Sequence, residues 1–421
     1  MELVPTMQPP EKVHLVHTES LAPDQRIPLP EVLKLVVPTL ENLGIGDLNR
    51  LKLTSLRENF NPADFPPMKN ETILKVFRNE PIDHVPVWMM RQAGRALPEF
   101  NEVRKALSFF DLCDNPFGST EVTLQPLKRY NIDAAIIFSD ILIVPKVMGL
   151  DFVMEAGKGP QCLTPLKTVA DLKMLKPVDG SEASLISNYD AVFLTRIALD
   201  GTVPLIGFCG SPWTLMVYMV EGTGSANNSL VKTWINSNPD ESKQLMAAIT
   251  KVLILHMSNQ IKAGAQLIQI FDSSADLLSQ EDYLEFSLPF AYSVAQELKN
   301  KFKEIPIVFF PRGQYGALKE ILTNPIYKVF DCVGLGHGVD IKEAREWGET
   351  TGKILQGNLD PGLIMGSKKL IEEKTKRMID DFGCEKYIAN LGHGVWPNHE
   401  IEKLQLFVNT VREHSSKLLK G

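Results

Sequence analysis

VPLIGFCG at residues 203–210 and QLIQIFDS at 266–273 are short apolar runs, the first ending in a glycine and the second in a polar pair. A strand that is apolar on both faces must be covered on both faces, and parallel sheets obtain that cover from helices. Segments of helical periodicity separate runs of this kind, for example DYLEFSLPFAYSVAQELKNKFKE at 282–304 and KKLIEEKTKRMIDDFG at 368–383. Outward from the first pair, similar runs recur as HVPVWMM (84–90), DAAIIFSD (133–140), IPIVFFPRG (305–313), VFDCVGLG (329–336), KILQGNLD (353–360) and KYIANLGHG (386–394). Eight strand candidates alternating with helices over roughly 350 residues predict an α/β fold, a (β/α)8 TIM barrel in a single domain spanning residues 67–421.

Residues 1–66 differ. They are interrupted by prolines, as in PTMQPPEK and NPADFPP, and hold no strand-like run. Their acidic residues, including Glu2, Glu11, Glu19, Asp24 and Glu31, argue against a transit peptide. The expectation is an N-terminal extension, largely disordered, with at most one docked helix over LPEVLKLVVPTLENLG at 29–44.

The formal net charge of −7 offers no basic excess for phosphate backbones or anionic membranes. Any anion site must be local, built from a few cations. Five cysteines stand singly, without metal-ligand spacing, so neither a zinc site nor a disulfide framework is expected. No apolar stretch reaches about 18 residues without a charge, so no membrane span is expected.

Barrels of this class carry their chemistry at the C-terminal ends of the strands. Those ends are Arg91 to Arg95, Ser139-Asp140, Gly210-Ser211, Asp272-Ser273, Arg312, His337, Asn358 to Asp360 and His393. In RQAGR, Gly94 leaves backbone amides approachable between two arginines, and Arg104 follows closely. Such an arrangement suits a carboxylate or phosphate cradle, although arginine pairs at this spacing also occur as surface ion pairs. Asp140 lies inside an apolar run. It is either a helix cap or buried ion pair, or a carboxylate facing an apolar pocket. Tyr218, among Trp213, Met216 and Met219, and His393, between two glycines, have structural and ligand-binding readings alike. GKGP at 157–160 resembles a phosphate loop only superficially, and QGNLDP at 356–361 reads as a structural turn.

Taken together, PVWMMRQAGRALPEF, DAAIIFSDILIVPKVMGL, VPLIGFCGSPWTLMVYMVEG, LQGNLDPG and YIANLGHGVWP resemble the uroporphyrinogen decarboxylase family, in order, from about Met68 onward. The resemblance implies a cytosolic, cofactor-free homodimer on a barrel fold. It also implies an activity: removal of four acetate carboxyl groups from uroporphyrinogen to give coproporphyrinogen and CO2. The family's substrate-binding positions fall on Arg91, Ala93, Arg95, Arg104, Asp140, Tyr218, Ser273 and His393, with Asp140 as the candidate catalytic group. The chain departs from the family pattern at Ala96 (tyrosine), Asp272 (glutamate), Gly336-His337 (Asp-Trp) and Arg312 (lysine). Three other readings compete. They are a porphyrinogen-binding paralogue with little or no turnover, a corrinoid-linked methyltransferase on the same fold, and a barrel enzyme acting on a phosphorylated substrate.

Overall fold

The structure is a computed structural model that describes residues 47–155, 157–222 and 228–421. Its centre is a curled, seven-stranded parallel sheet. The strands are β1 (Ala135–Ile136), β4 (Leu205–Gly210), β5 (Leu267–Asp272), β6 (Ile307–Pro311), β7 (Cys332–Gly334), β8 (Ile354–Leu359) and β9 (Tyr387–Leu391), paired in that order. A separate antiparallel hairpin is formed by β2 (Phe152–Glu155) and β3 (Gly159–Cys162). The alternation of strands and helices expected from the sequence is present for these seven runs, with all C-terminal ends at one face.

The strands are apolar on both sides because both sides are core. One set of alternate residues faces inward and packs together: Ile136, Ile206, Leu267, Val308, Phe310, Cys332, Ile354 and Ile388. The other set, including Ile137, Leu205, Ile268, Phe309, Val333 and Leu355, packs under the surrounding helices. The helix Thr72–Phe77 contributes Ile73 and Val76 to the inner cluster.

The run at 84–90 was expected to be a full strand, and here the structure differs. It forms one isolated parallel bridge, Val87 to Ala389. The cause is where its N–H groups go. Pro86 has none. The Val87 N–H donates to the Asp133 carboxylate (2.9 Å), Met89 to Gln92 Oε1 (3.2 Å) and Met90 to Asn390 Oδ1 (3.1 Å). Side chains thus take the donors that a ladder needs. The run still lies between β9 and the start of β1. Ala389 N–H donates to Pro86 O (2.9 Å), and Asp133 N–H donates to Val87 O (2.8 Å). Trp88 and Met90 point into the inner cluster as strand residues would. Asp133 is the knot at this point, also accepting from Arg412 (2.6 Å) and Asn70 (2.9 Å).

Part of the segment before residue 67 is docked. The helix Asp47–Asn59 sets Arg57 and Thr54 on the buried Asp190 carboxylate, each at 2.6 Å. Phe60 and Phe65 pack on Phe193, with ring centroids 5.0 and 5.9 Å away. The helix expected at 29–44 lies outside the described residues.

Candidate active site

The C-terminal ends of the strands surround a cavity of about 1000 Å³. All eight residues singled out as substrate-binding line it: Arg91, Ala93, Arg95, Arg104, Asp140, Tyr218, Ser273 and His393. They come from six separate parts of the chain, so the fold assembles what the sequence scatters.

Arg91 leaves the 84–90 run with a left-handed backbone, φ 62°. That conformation is costly for a residue with a Cβ, and it turns the arginine back over the strand ends. Its side chain lies against Gly394, where an added Cβ would meet Arg91 Cδ at 2.4 Å. Burial holds its guanidinium below the usual pKa range; Tyr218 and Asp140 oppose that shift, while Arg312 and Arg95 add to it. Arg104 sits in the last turn of the helix Pro98–Ala106, donates to Leu107 O and stacks over Phe109 at 5.7 Å.

Asp140 follows β1 and is half-buried. Its Oδ1 accepts the Leu142 N–H at 2.8 Å. Burial pushes its carboxyl up, and the Leu142 N–H, Arg91 and Lys146 pull it back. Asp140 therefore closes a local turn and lines the cavity; it does not cap the following helix, whose N-cap is Leu142. Tyr218 extends from the helix Pro212–Glu221; burial and Asp140 raise its phenol, so it stays protonated at neutral pH. That helix is fixed at its start by Asp272, which accepts from Ser211 (2.5 Å), Thr214 (2.8 Å) and Ser287 (2.6 Å). Ser273 is the next residue along, so Asp272 ties two cavity walls together.

His393 accepts the Gly394 N–H on Nδ1 at 2.7 Å. Burial, Arg91 and Arg312 push its imidazole down to about 4, so the ring is neutral at pH 7. Arg312 also lines the cavity and approaches His393 Nε2 at 3.3 Å. It stood out in the sequence as a cation at a strand end and as a departure from the lysine of the family pattern.

The floor is aromatic. Phe208, Phe271 and Phe310 meet edge to face, at 5.7 and 6.3 Å. Sequence reasoning did not select these three. The available signal was an aromatic near the end of each of three successive strands, which by itself looks like core. The hairpin supplies Met154, Glu155 and Lys158 to one side of the cavity, and GKGP runs from its turn into β3 rather than forming a phosphate loop. Among the described residues, no group of three or more His, Cys, Asp or Glu is arranged to hold a metal. No helix among them is long and apolar enough to cross a membrane. An apolar floor ringed by arginines, with the Asp140 carboxylate in the wall and Glu155 on the hairpin side, is suited to an apolar-cored molecule bearing several carboxylates at its edge.

Comparison with known proteins agrees with this chemistry. The sequence model of the family described as Uroporphyrinogen decarboxylase (URO-D) matches residues 68–414. The chain is 45% identical over 366 residues to uroporphyrinogen decarboxylase of Danio rerio, an alignment covering 85% of this chain and 97% of that one. It is 44% identical over 363 residues to the enzyme of Homo sapiens, covering 85% and 97%. It is 41% identical over 355 residues to that of Salinibacter ruber, covering 84% and 98%. Among solved structures, a methyltransferase from Methanosarcina mazei superposes with a TM-score of 0.65 at 18% identity, covering 82% of this chain and 98% of that one. At that identity the likeness is one of fold alone. By the extent and evenness of these matches, the chain belongs to the uroporphyrinogen decarboxylase family.

Proposed function

We propose that this protein is a uroporphyrinogen decarboxylase, converting uroporphyrinogen to coproporphyrinogen with release of CO2 from four acetate side chains. One observation carries the reading: Arg91, Arg95, Arg104 and Asp140 share a single cavity over an aromatic floor. Carboxylates at the edge of the macrocycle pair with the guanidiniums, and the apolar ring system lies toward the phenylalanines.

Loss of CO2 leaves an electron pair that needs a sink. A proton added to a pyrrole ring carbon creates an iminium-like cation. The bond to the departing carboxylate then breaks, and its electrons neutralise that cation. The resulting exocyclic methylene takes up a proton to become methyl, and the ring carbon gives up the proton it gained. No electron leaves or enters, so the substrate supplies its own sink without a cofactor or metal. Asp140 is the group assigned to the cation: a fixed carboxylate in a water-poor wall stabilises positive charge strongly, and it also accepts pyrrole N–H groups. Tyr218, Ser273 and His393 orient side-chain carboxylates, and the small Ala93 side chain leaves room beside the arginines.

Residues 67–421 are read as the catalytic unit, with 84–90 as the eighth stave that closes the sheet into a barrel; the bridge at Val87 and the inward Trp88 and Met90 support that reading. A cytosolic homodimer without nucleic-acid partners is part of the same proposal. Exposed aromatics at this end of the molecule, Tyr315 and Trp396, are suited to a subunit contact. The deciding experiment is anaerobic incubation with uroporphyrinogen, followed by chromatography of products by carboxylate number. Stepwise appearance of products with seven down to four carboxylates is expected, unchanged after exhaustive chelation. Recovery of unaltered substrate, or activity that returns only with one added metal, refutes the assignment.

A further inference from the structure

Arg312 stands directly after β6, and its surroundings fix its direction. Its main-chain N–H donates to Asp272 O at 3.1 Å. Gly313, at φ 73°, turns the chain back so closely that an added Cβ would meet Asp276 Cβ at 2.8 Å. The turn brings Asp276 Oδ1 to 3.4 Å from one terminal nitrogen of the Arg312 guanidinium. The other terminal nitrogen lies 3.3 Å from His393 Nε2.

The tautomer of His393 follows from its neighbours. A neutral imidazole carries one N–H. The Gly394 N–H points at Nδ1 from 2.7 Å, so Nδ1 is the acceptor and the proton is on Nε2. Nε2–H and the Arg312 guanidinium, 3.3 Å apart, are therefore both donor groups, and both residues line the cavity. Two adjacent N–H donors, one of them cationic, form a receptor for a carboxylate. Arg91, lying against Gly394, adds a second guanidinium on the same side.

We propose that Arg312 and His393 together receive one carboxylate of the substrate, with Asp276 holding Arg312 in place, so that Arg312 helps the site distinguish ligands by carboxylate number. The inference rests on the reading of this cavity as a tetrapyrrole site. Lysine at this position could not serve in the same way: a single ammonium does not span Asp276 and the His393 edge as a planar fork does.

The test is equilibrium binding of two oxidised, unreactive probes, uroporphyrin with eight carboxylates and coproporphyrin with four. Quenching of tryptophan fluorescence reads binding in the wild type, R312K, R312Q and D276N. R312Q should weaken uroporphyrin binding about ten- to a hundredfold, the range of one charge-assisted hydrogen bond. Coproporphyrin should weaken by no more than a few-fold, so the preference between the probes narrows. R312K should fall in between, and D276N should lower uroporphyrin affinity more mildly. If the wild type binds uroporphyrin and R312Q matches it, or loses both probes equally, the subsite is refuted while the cavity assignment stands. If the wild type binds neither probe, the cavity assignment falls and the subsite with it. Should R312Q melt many degrees below the wild type, R312K decides: uroporphyrin affinity equal to wild type refutes the proposal.

Discussion

Asp140 and Gly394 make opposite demands on a substitution. Asp140→Asn can still accept the Leu142 N–H through its amide oxygen, so the turn and the melting temperature should survive. It offers no negative charge to a protonated pyrrole. Turnover should drop on the order of 10² to 10³, with KM changing less, as for loss of a preorganised electrostatic group. Steady-state kinetics beside thermal melts would show this, and near-normal kcat would make Asp140 a structural acid only. Gly394→Ala keeps the chemistry but crowds it. The three atoms nearest the new Cβ all belong to the flexible Arg91 side chain, with Cδ at 2.4 Å and Cγ at 2.8 Å. The arginine should swing aside at little cost in stability, and KM should rise about tenfold, the loss of roughly one charge-assisted contact. An unchanged KM would mean that Arg91 does not hold substrate. At this scale the arginines were legible because a glycine sits between two of them at a strand end. The aromatic floor was not, since a phenylalanine in an apolar run has the same signature whether it lines a cavity or a core.

Elements were legible where hydrogen bonding is regular and illegible where side chains replace it. The seven strands announce themselves by apolar runs, because both faces are buried. The 84–90 run has the same composition, yet Asp133, Gln92 and Asn390 take its donors, and no pattern in the run itself reveals partners that lie elsewhere in the chain. The helix Asp47–Asn59 was hidden for a related reason. It docks through the Arg57–Asp190 ion pair, Thr54, Leu53 and Leu56, and through the two rings that follow it, rather than through a long apolar face. Asp190 is almost wholly buried, and burial raises its carboxyl despite Arg57 and Thr54. Removing the cation leaves that carboxylate short of its main partner. Arg57→Ala should therefore cost about 3 kcal/mol, the scale for breaking a buried pair. Adding Asp190→Asn to it should restore part of the loss, since the buried charge is then gone. Urea unfolding of the single and double variants tests both statements. A change below about 0.5 kcal/mol for Arg57→Ala would show that the ion pair does not dock the helix and that its other contacts do.

At the scale of the whole molecule, the response to acid depends on groups far from the cavity. His256, in the long helix Pro239–Lys262, is buried between Tyr189 and Gln260. Its Nε2 faces the Gln260 amide at 2.9 Å, and burial pushes the ring down to about 3. The sign follows from linkage. Unfolded, the ring takes up a proton near pH 6.5; folded, it does so only near 3. Its contribution is therefore fully present above about pH 6.5 and is lost as pH falls through that window, at about 1.4 kcal/mol per pH unit. His393, held at about 4, acts in the same direction but more weakly, being partly open to the cavity. The carboxylate of Asp133, held low chiefly by its His84 hydrogen bond against the cost of burial, loses its contribution only at lower pH, below the ordinary carboxylate range. Between pH 7 and 5, then, the fall in stability should come mainly from buried imidazoles. His256→Gln keeps a polar group within reach of Gln260 and removes the titration. Its stability at pH 7 should drop modestly, but its further loss on going to pH 5 should be smaller than that of the wild type by about 2 kcal/mol, the product of that slope and the part of the window crossed. Denaturant unfolding at both pH values measures the difference directly, and equal losses in the two proteins would mean that His256 accepts a proton within the fold.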